Sequence, residues 1–129
     1  KRTPELAARF ATEFNIGFRS EAESAEKFAG VRAACERIGR DPDSLKLSVA
    51  LPTLAGASVS ELDRRAENLG RTVDELRGDV NIVGTRDEIV AKVERLVAIG
   101  AQRVYFQLMD LQDVSHVEYL GEVLPHLPR

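Results

Sequence analysis

Residues 84–108 read GTRDEIVAKVERLVAIGAQRVYFQL, and this stretch holds a complete helix-then-strand unit. Thr85 with Glu88 three places on is a capping box, the pairing that satisfies the free N–H groups of a helix's first turn. Ile89, Val93, Leu96 and Val97 then recur at helical spacing on one face. Gly100 stands where a helix needs a residue free to turn left-handed. Arg103-Val104-Tyr105-Phe106-Gln107-Leu108 is rich in β-branched and aromatic residues and is the clearest strand in the chain.

Working upstream, the same grammar repeats. Ser58 to Glu61 is a second capping box, opening a helix that closes near Gly70. Residues 71–83 are the least regular, with one short helix over Val73 to Leu76. Before them, Leu45 to Leu51 alternates and then becomes wholly apolar, as a half- to fully-buried strand does. Ser20 to Glu23 opens a helix with Phe28, Val31, Cys35 and Ile38 on its apolar stripe and Gly39 at its end. Glu13-Phe14-Asn15-Ile16 alternates and stops at Gly17, a short strand. Residues 3–11 form a helix with Thr3 as N-cap, Pro4 in its first turn, and Leu6, Ala7, Phe10 and Ala11 as apolar face. Downstream, Val114, Val117, Leu120 and Leu124 mark a last helix, stopped by Pro125.

The predicted order is α-β-α-β-α-(α)-β-α. Strands joined through long helical crossovers must run parallel, with right-handed connections, so the class is α/β with three parallel strands. No flexible linker divides the 129 residues, which form part of a single domain.

Composition narrows the function. With 43% hydrophobic and 30% charged residues the balance is that of a globular domain. The net charge of -3 and pI near 5.5 argue against a nucleic-acid partner, which would want a basic face. The interspersed Lys, Arg, Asp and Glu read as solvated helix faces. Cys35 is the only cysteine, so no internal disulfide or zinc cluster can form, and its place in an apolar stripe marks it as a small buried hydrophobe. No segment is a membrane span or a signal peptide, and a cytoplasmic setting is expected. The start at Lys1-Arg2-Thr3-Pro4, without Met and directly in helical pattern, reads as a cut through a longer protein.

Four strings point to a family. Lys1-Arg2-Thr3, then Leu6 to Ala11 and Glu13-Phe14-Asn15, resemble the KRTLRLAARYADEWN stretch of luciferase-like, F420-dependent oxidoreductases. Val31 to Glu36 with Gly39-Arg40-Asp41-Pro42 is similar to their RAACEEAGRDP segment. Gly84 to Val90 resembles GTPEEVV, with Arg86 in place of the usual proline, and Gly100 to Gln107 resembles GATRVYLQ. The strings keep the family's order along nearly the whole chain.

The resemblance implies the C-terminal portion, about half, of a TIM (β/α)₈ barrel, from the fifth helix to the eighth with strands six to eight. A full barrel needs about 250 residues. It implies hydride transfer between coenzyme F420 and a small-molecule organic substrate, with the cofactor carrying the chemistry. An FMN-dependent luciferase-like monooxygenase is the alternative cofactor reading, and a non-catalytic α/β interaction module the alternative class. The family's Gly-rich turn before KRT lies upstream of Lys1, as do its proton-transfer residues. No catalytic residue and no metal site is therefore expected in this piece, which should be inactive alone.

The binding residues that follow are Lys1, Arg2 and Thr3, where a helix N-terminus with two cations suits an anionic cofactor tail. Asn15 and Gln107 are expected to line the substrate pocket, since active sites of TIM barrels form at the C-terminal ends of the strands. Thr53 and Asp110 are weaker candidates at the same end. His116 and His126 are expected on the outside of the barrel, away from any chemistry. The expected macromolecular partner is the missing N-terminal half, or a second copy meeting open sheet edges. No membrane and no nucleic acid are expected.

Overall fold

The computed structural model describes residues 2–128. Its elements are α1 (Arg2–Phe10), β1 (Glu13–Gly17), α2 (Glu21–Arg37), β2 (Lys46–Ala55), α3 (Val59–Asn68), α4 (Val73–Leu76), β3 (Ile82–Gly84), α5 (Arg86–Ala98), β4 (Arg103–Gln107) and α6 (Val114–Val123). Every strand pair is parallel. The three predicted strands are present, and β3 is a fourth that the sequence reading left inside the irregular stretch. A three-residue strand, Ile82-Val83-Gly84, is too short to show any alternation. The central strand also runs on to Ala55, past the predicted end at Leu51.

β2 is the hub. Residues 46–50 pair with β1, residues 48–52 with β4, and Thr53 to Ala55 with β3. Because Ser48 to Ala50 have partners in both β1 and β4, those two strands lie on opposite edges of β2. Within this sheet neither has a second partner, so the outer edges of β1 and β4 carry open backbone donors and acceptors.

The two faces of the sheet separate cleanly. Phe14 and Ile16 of β1, Leu47, Val49 and Leu51 of β2, and Val104 and Phe106 of β4 point one way. They share one core with Ala7 and Ala8 of α1, Phe28, Val31, Ala34 and Cys35 of α2, Ile89, Val93 and Leu96 of α5, and Leu120 and Val123 of α6. Each fully buried Leu or Val contributes about 1.5–3 kcal/mol. All four of these helices therefore cover the same face. A doubly wound open sheet would place helices on both faces, whereas a barrel keeps them outside a ring of strands. This one-sidedness, with parallel strands taken in sequence, makes the chain a partial TIM barrel.

A smaller cluster of Leu54, Leu62 and Ala66 packs α3 and α4 against the far end of β2. The first helix begins at Arg2, so Thr3 lies in its first turn rather than capping it. The Ser20–Glu23 box is complete. The Ser58 box is only half made: Ser58 Oγ accepts from Glu61 N–H, but the Glu61 carboxylate accepts from Ala57 N–H instead of closing on Ser58. A box the sequence reading passed over, Thr72 with Glu75, starts α4. Gly84 has φ +148, and a Cβ there would collide with the Glu88 side chain that folds back onto Thr85, so only glycine fits.

Two helix faces depart from the sequence reading. In α1, Ala7 and Ala8 face the core while Leu6 and Phe10 are exposed, Phe10 by 78%. In α6, His116, Leu120 and Val123 are buried, and Val114, Val117 and Leu124 form an exposed stripe. Val97 of α5 and Ile38 after α2 are exposed as well. The periodicity was legible, but each of the outer helices has two apolar stripes and the sheet covers only one. No described helix is long and apolar enough to cross a membrane.

Candidate functional site

The face of the sheet opposite the helices carries Glu13, Asn15 and Gly17 from β1, Ser48, Ala50 and Pro52 from β2, and Arg103, Tyr105 and Gln107 from β4. Strand alternation places them together, and the register sets Asn15 beside Ser48, Gly17 beside Ala50, Ala50 beside Tyr105, and Pro52 beside Gln107. An open cavity of about 570 Å³ on this face is lined by Glu13, Asn15, Ala50, Tyr105 and Gln107. Asn15 and Gln107, expected as pocket residues, are thus brought into one cavity from opposite edges of β2.

At the N-terminal end of the strands the charged and phenolic groups contact one another. Arg103 Nη1 lies 2.7 Å from Glu13 Oε2 and donates to the Tyr105 hydroxyl at 2.9 Å. Tyr105 in turn donates to Glu13 Oε1 at 2.9 Å. The Ser48 hydroxyl, the Tyr105 phenol and the Arg103 and Lys46 cations hold the Glu13 carboxyl below its ordinary value, against a smaller opposing effect of burial. These side chains reach across β2, and Ser48 beneath them is fully buried. Asn15 Nδ2 donates to Ser48 Oγ at 2.9 Å.

At the C-terminal end the floor is small-sided, with Gly17, Ala50 and Pro52. Immediately beyond Gly17, Phe18 has φ +54 and an exposed ring. A bulky residue in the left-handed region is a strained elbow, of the sort found where a site is built. No sequence signal marked it. Thr53 and Asp110 are committed elsewhere: Thr53 Oγ1 donates to Leu51 O, and Asp110 accepts from Gln112 N–H in a turn.

Arg2 and Thr3 are exposed in the first turn of α1. A crossover helix runs opposite to the strand it feeds, so this N-terminus lies at the strands' C-terminal end. Lys1 lies outside the described residues.

A second polar cluster, behind the sheet, went unread in the sequence. Arg65 is only 3% exposed. Its guanidinium donates to Ala55 O, to Asp113 Oδ2 at 2.9 Å and to Ser115 Oγ at 3.1 Å, and pairs with Glu61 at 2.8 Å. The Ser115 hydroxyl, the Arg65 cation and the His116 N–H hold the Asp113 carboxyl far below the usual carboxylate range, outweighing burial. His116 is buried, not on the outside as expected, and its Nε2 accepts from Ala55 N–H at 2.8 Å. The imidazole is therefore neutral with its proton on Nδ1, and burial, then the Arg65 charge, keep its pKa below the ordinary value. Lys92 is similarly buried, bonded to Glu21 and Asp79 O. Arg65 was findable: it stands three and four places after Leu62 and Glu61, on the apolar side of its helix.

No protein-family model matches the chain, and no curated protein matches it in sequence. Solved structures do. The coenzyme F420-dependent tetrahydromethanopterin reductase of Methanopyrus kandleri superposes with a TM-score of 0.73 at 14% identity, over 97% of this chain and 48% of the reductase. An F420-dependent secondary alcohol dehydrogenase gives 0.73 at 10% identity, over 98% of this chain and 46% of the enzyme. A long-chain alkane monooxygenase gives 0.72 at 15% identity, over all of this chain and 40% of the monooxygenase. The chain thus spans less than half the length of each of these enzymes, and its fold is that of part of their barrel.

Proposed function

We propose that this chain is part of an F420-dependent oxidoreductase of the luciferase-like kind, transferring a hydride between deazaflavin and a small organic substrate. The observation that carries the reading is the face of the sheet that no helix covers. It holds a cavity between Asn15 and Gln107, in a fold shared with two F420-dependent enzymes. The bound cofactor would supply the hydride chemistry. This chain's residues bind and orient: the small floor of Gly17, Ala50 and Pro52 leaves room for a flat ring, and Arg2 and Thr3 offer a cation and helix N–H groups to an anionic tail. Lys1 belongs to the same expected anion site. No residue of the chain is placed as a proton donor to substrate.

An FMN-dependent monooxygenase is the second reading, favoured by the equal likeness to the alkane monooxygenase. The partner in either case is the remainder of the barrel, adding strands to the open edges of β1 and β4 and covering Leu6, Phe10, Val114, Val117 and Leu124. Alone, the chain should be inactive and self-associate through those surfaces. The single buried cysteine accords with a reducing, cytoplasmic setting.

Titration of the full-length protein with F420 and with FMN, followed by cofactor fluorescence, tests the assignment. Saturable binding of F420 with none of FMN supports the first reading, and the reverse supports the second. Binding of neither overturns both.

A further inference from the structure

The C-terminal tip of β2 is closed by side chains rather than by a strand. Ala55 N–H donates to His116 Nε2 at 2.8 Å, and Ala55 O accepts from the Arg65 guanidinium. One residue on, Gly56 N–H goes instead to Gly84 O, at the end of β3. His116 is only 2% exposed, so its ring fills space and also supplies the acceptor for a buried backbone donor.

An imidazole can play this part only while neutral. With its proton on Nδ1 it presents a lone pair at Nε2; once protonated it has two N–H donors and no acceptor. Two donors would then face each other at 2.8 Å, and a second cation would lie buried beside the Arg65 guanidinium. The charged groups around the ring are Arg65 and Glu61 from α3, Asp113 at the start of its own helix and Asp110 from the turn before it. The tip of β2 brings none. Burial and Arg65 outweigh the three carboxylates and hold the ring neutral. Asp113 already accepts from Arg65, Ser115 and the His116 N–H.

Little apolar packing holds this turn. From Met109 to Ser115 no apolar side chain is buried, since Met109, Leu111 and Val114 are all exposed. Leu120 and Val123, further along α6, are seated in the core. The first turn of α6 can therefore part from β2 with almost no loss of apolar burial while the rest of the helix stays in place.

From this geometry we propose that His116 is a pH-sensitive latch between α6 and the tip of β2, closed by the neutral imidazole and opened when the ring takes up a proton and leaves its place. Opening frees a backbone donor of β2 at the end of the strands where TIM barrels build their sites. The latch is independent of which cofactor the barrel holds.

Amide hydrogen exchange in the full-length protein, resolved by residue with NMR and corrected for the intrinsic pH dependence of exchange, tests the latch. The open ring titrates at an ordinary pKa of about 6.5, so the open population, and with it the loss of protection at Ala55, should rise about tenfold between pH 7.5 and pH 5.5. The amide of Val49, in the middle of the same strand, should keep its protection. His116→Gln offers a side-chain oxygen that never titrates and should make protection at Ala55 independent of pH. His116→Leu removes the acceptor and should leave Ala55 weakly protected at both pH values. Constant protection at Ala55 in the unaltered protein overturns the latch. So does a parallel fall at Val49, which would mean global rather than local opening, or a tenfold fall that persists in His116→Gln.

Discussion

The two faces of this sheet are made by alternate residues of the same strands and have opposite chemistry. Leu47, Val49 and Leu51 are sealed under four helices, while Ser48, Ala50 and Pro52 between them lie on the opposite face beside Glu13, Asn15, Tyr105 and Gln107. An open parallel sheet would need cover on both sides. A face carrying Glu13, Arg103 and Tyr105 in mutual contact is instead suited to the inside of a ring, where paired polar groups fill the centre. The difference teaches that direction of curvature is recorded in side-chain chemistry, even where the ring itself is incomplete.

The largest effect should come from carrying the chemistry of one face onto the other. Val49→Asp buries an unpaired carboxylate and should cost at least about 4 kcal/mol, abolishing a cooperative melt. Ala50→Asp, one residue away on the open face, should leave the melt in place, as circular dichroism would show. Equal damage from both would mean that the bare face is covered.

Next comes the network behind the sheet. Arg65→Ala leaves the Ala55 carbonyl without its donor and Asp113 with only the more exposed Arg64 as cation, at 3.5 Å, and should cost about 3 kcal/mol in urea unfolding. Restoring bulk without charge on both sides, in Arg65→Met with Asp113→Leu, should recover part of that loss.

A smaller effect is tied to pH. His116 has a folded pKa below its unfolded one, so its neutral form is favoured by folding. Its contribution is fully present above about pH 6.5 and is lost as pH falls below that value towards the folded pKa. The melting midpoint should fall by a few degrees between pH 7.5 and pH 5. The fall should vanish in His116→Leu, since the other histidine, His126, is exposed. Asp113 adds a second loss only below about pH 4, where its unfolded form takes up a proton.

The smallest effect on stability should come from the uncovered helix stripes. Val117→Lys with Leu124→Lys should leave the melting midpoint almost unchanged. In sedimentation velocity, however, it should reduce self-association of the isolated chain. No change in the sedimentation profile would remove α6 from the proposed contact.

Much of this was legible in the residues. Capping signals at Ser20, Ser58 and Thr85, glycines at helix ends, and strand patterns in β1, β2 and β4 define an α/β order with parallel strands; the Thr72 box was as plain in the residues and was passed over. β3 escaped because three residues show no period, and the extra length of β2 because Pro52 breaks the alternation. Asn15 and Gln107 could be assigned to strand ends, but their sharing of one cavity depends on register, which no local pattern states. The burial of Arg65 and Lys92 escaped because a cation on an amphipathic helix reads as solvated unless its partners, here 48 and 71 residues distant in sequence, are known.

The tip of β2 has one further consequence. Ala55 gives its N–H to an imidazole and its carbonyl to a guanidinium, so two side chains stand in for a neighbouring strand. That tip is insulated against zippering with a foreign chain while β1 and β4 remain receptive. Cleavage between Met109 and Gln112 would slacken the first turn of α6 and withdraw the insulation.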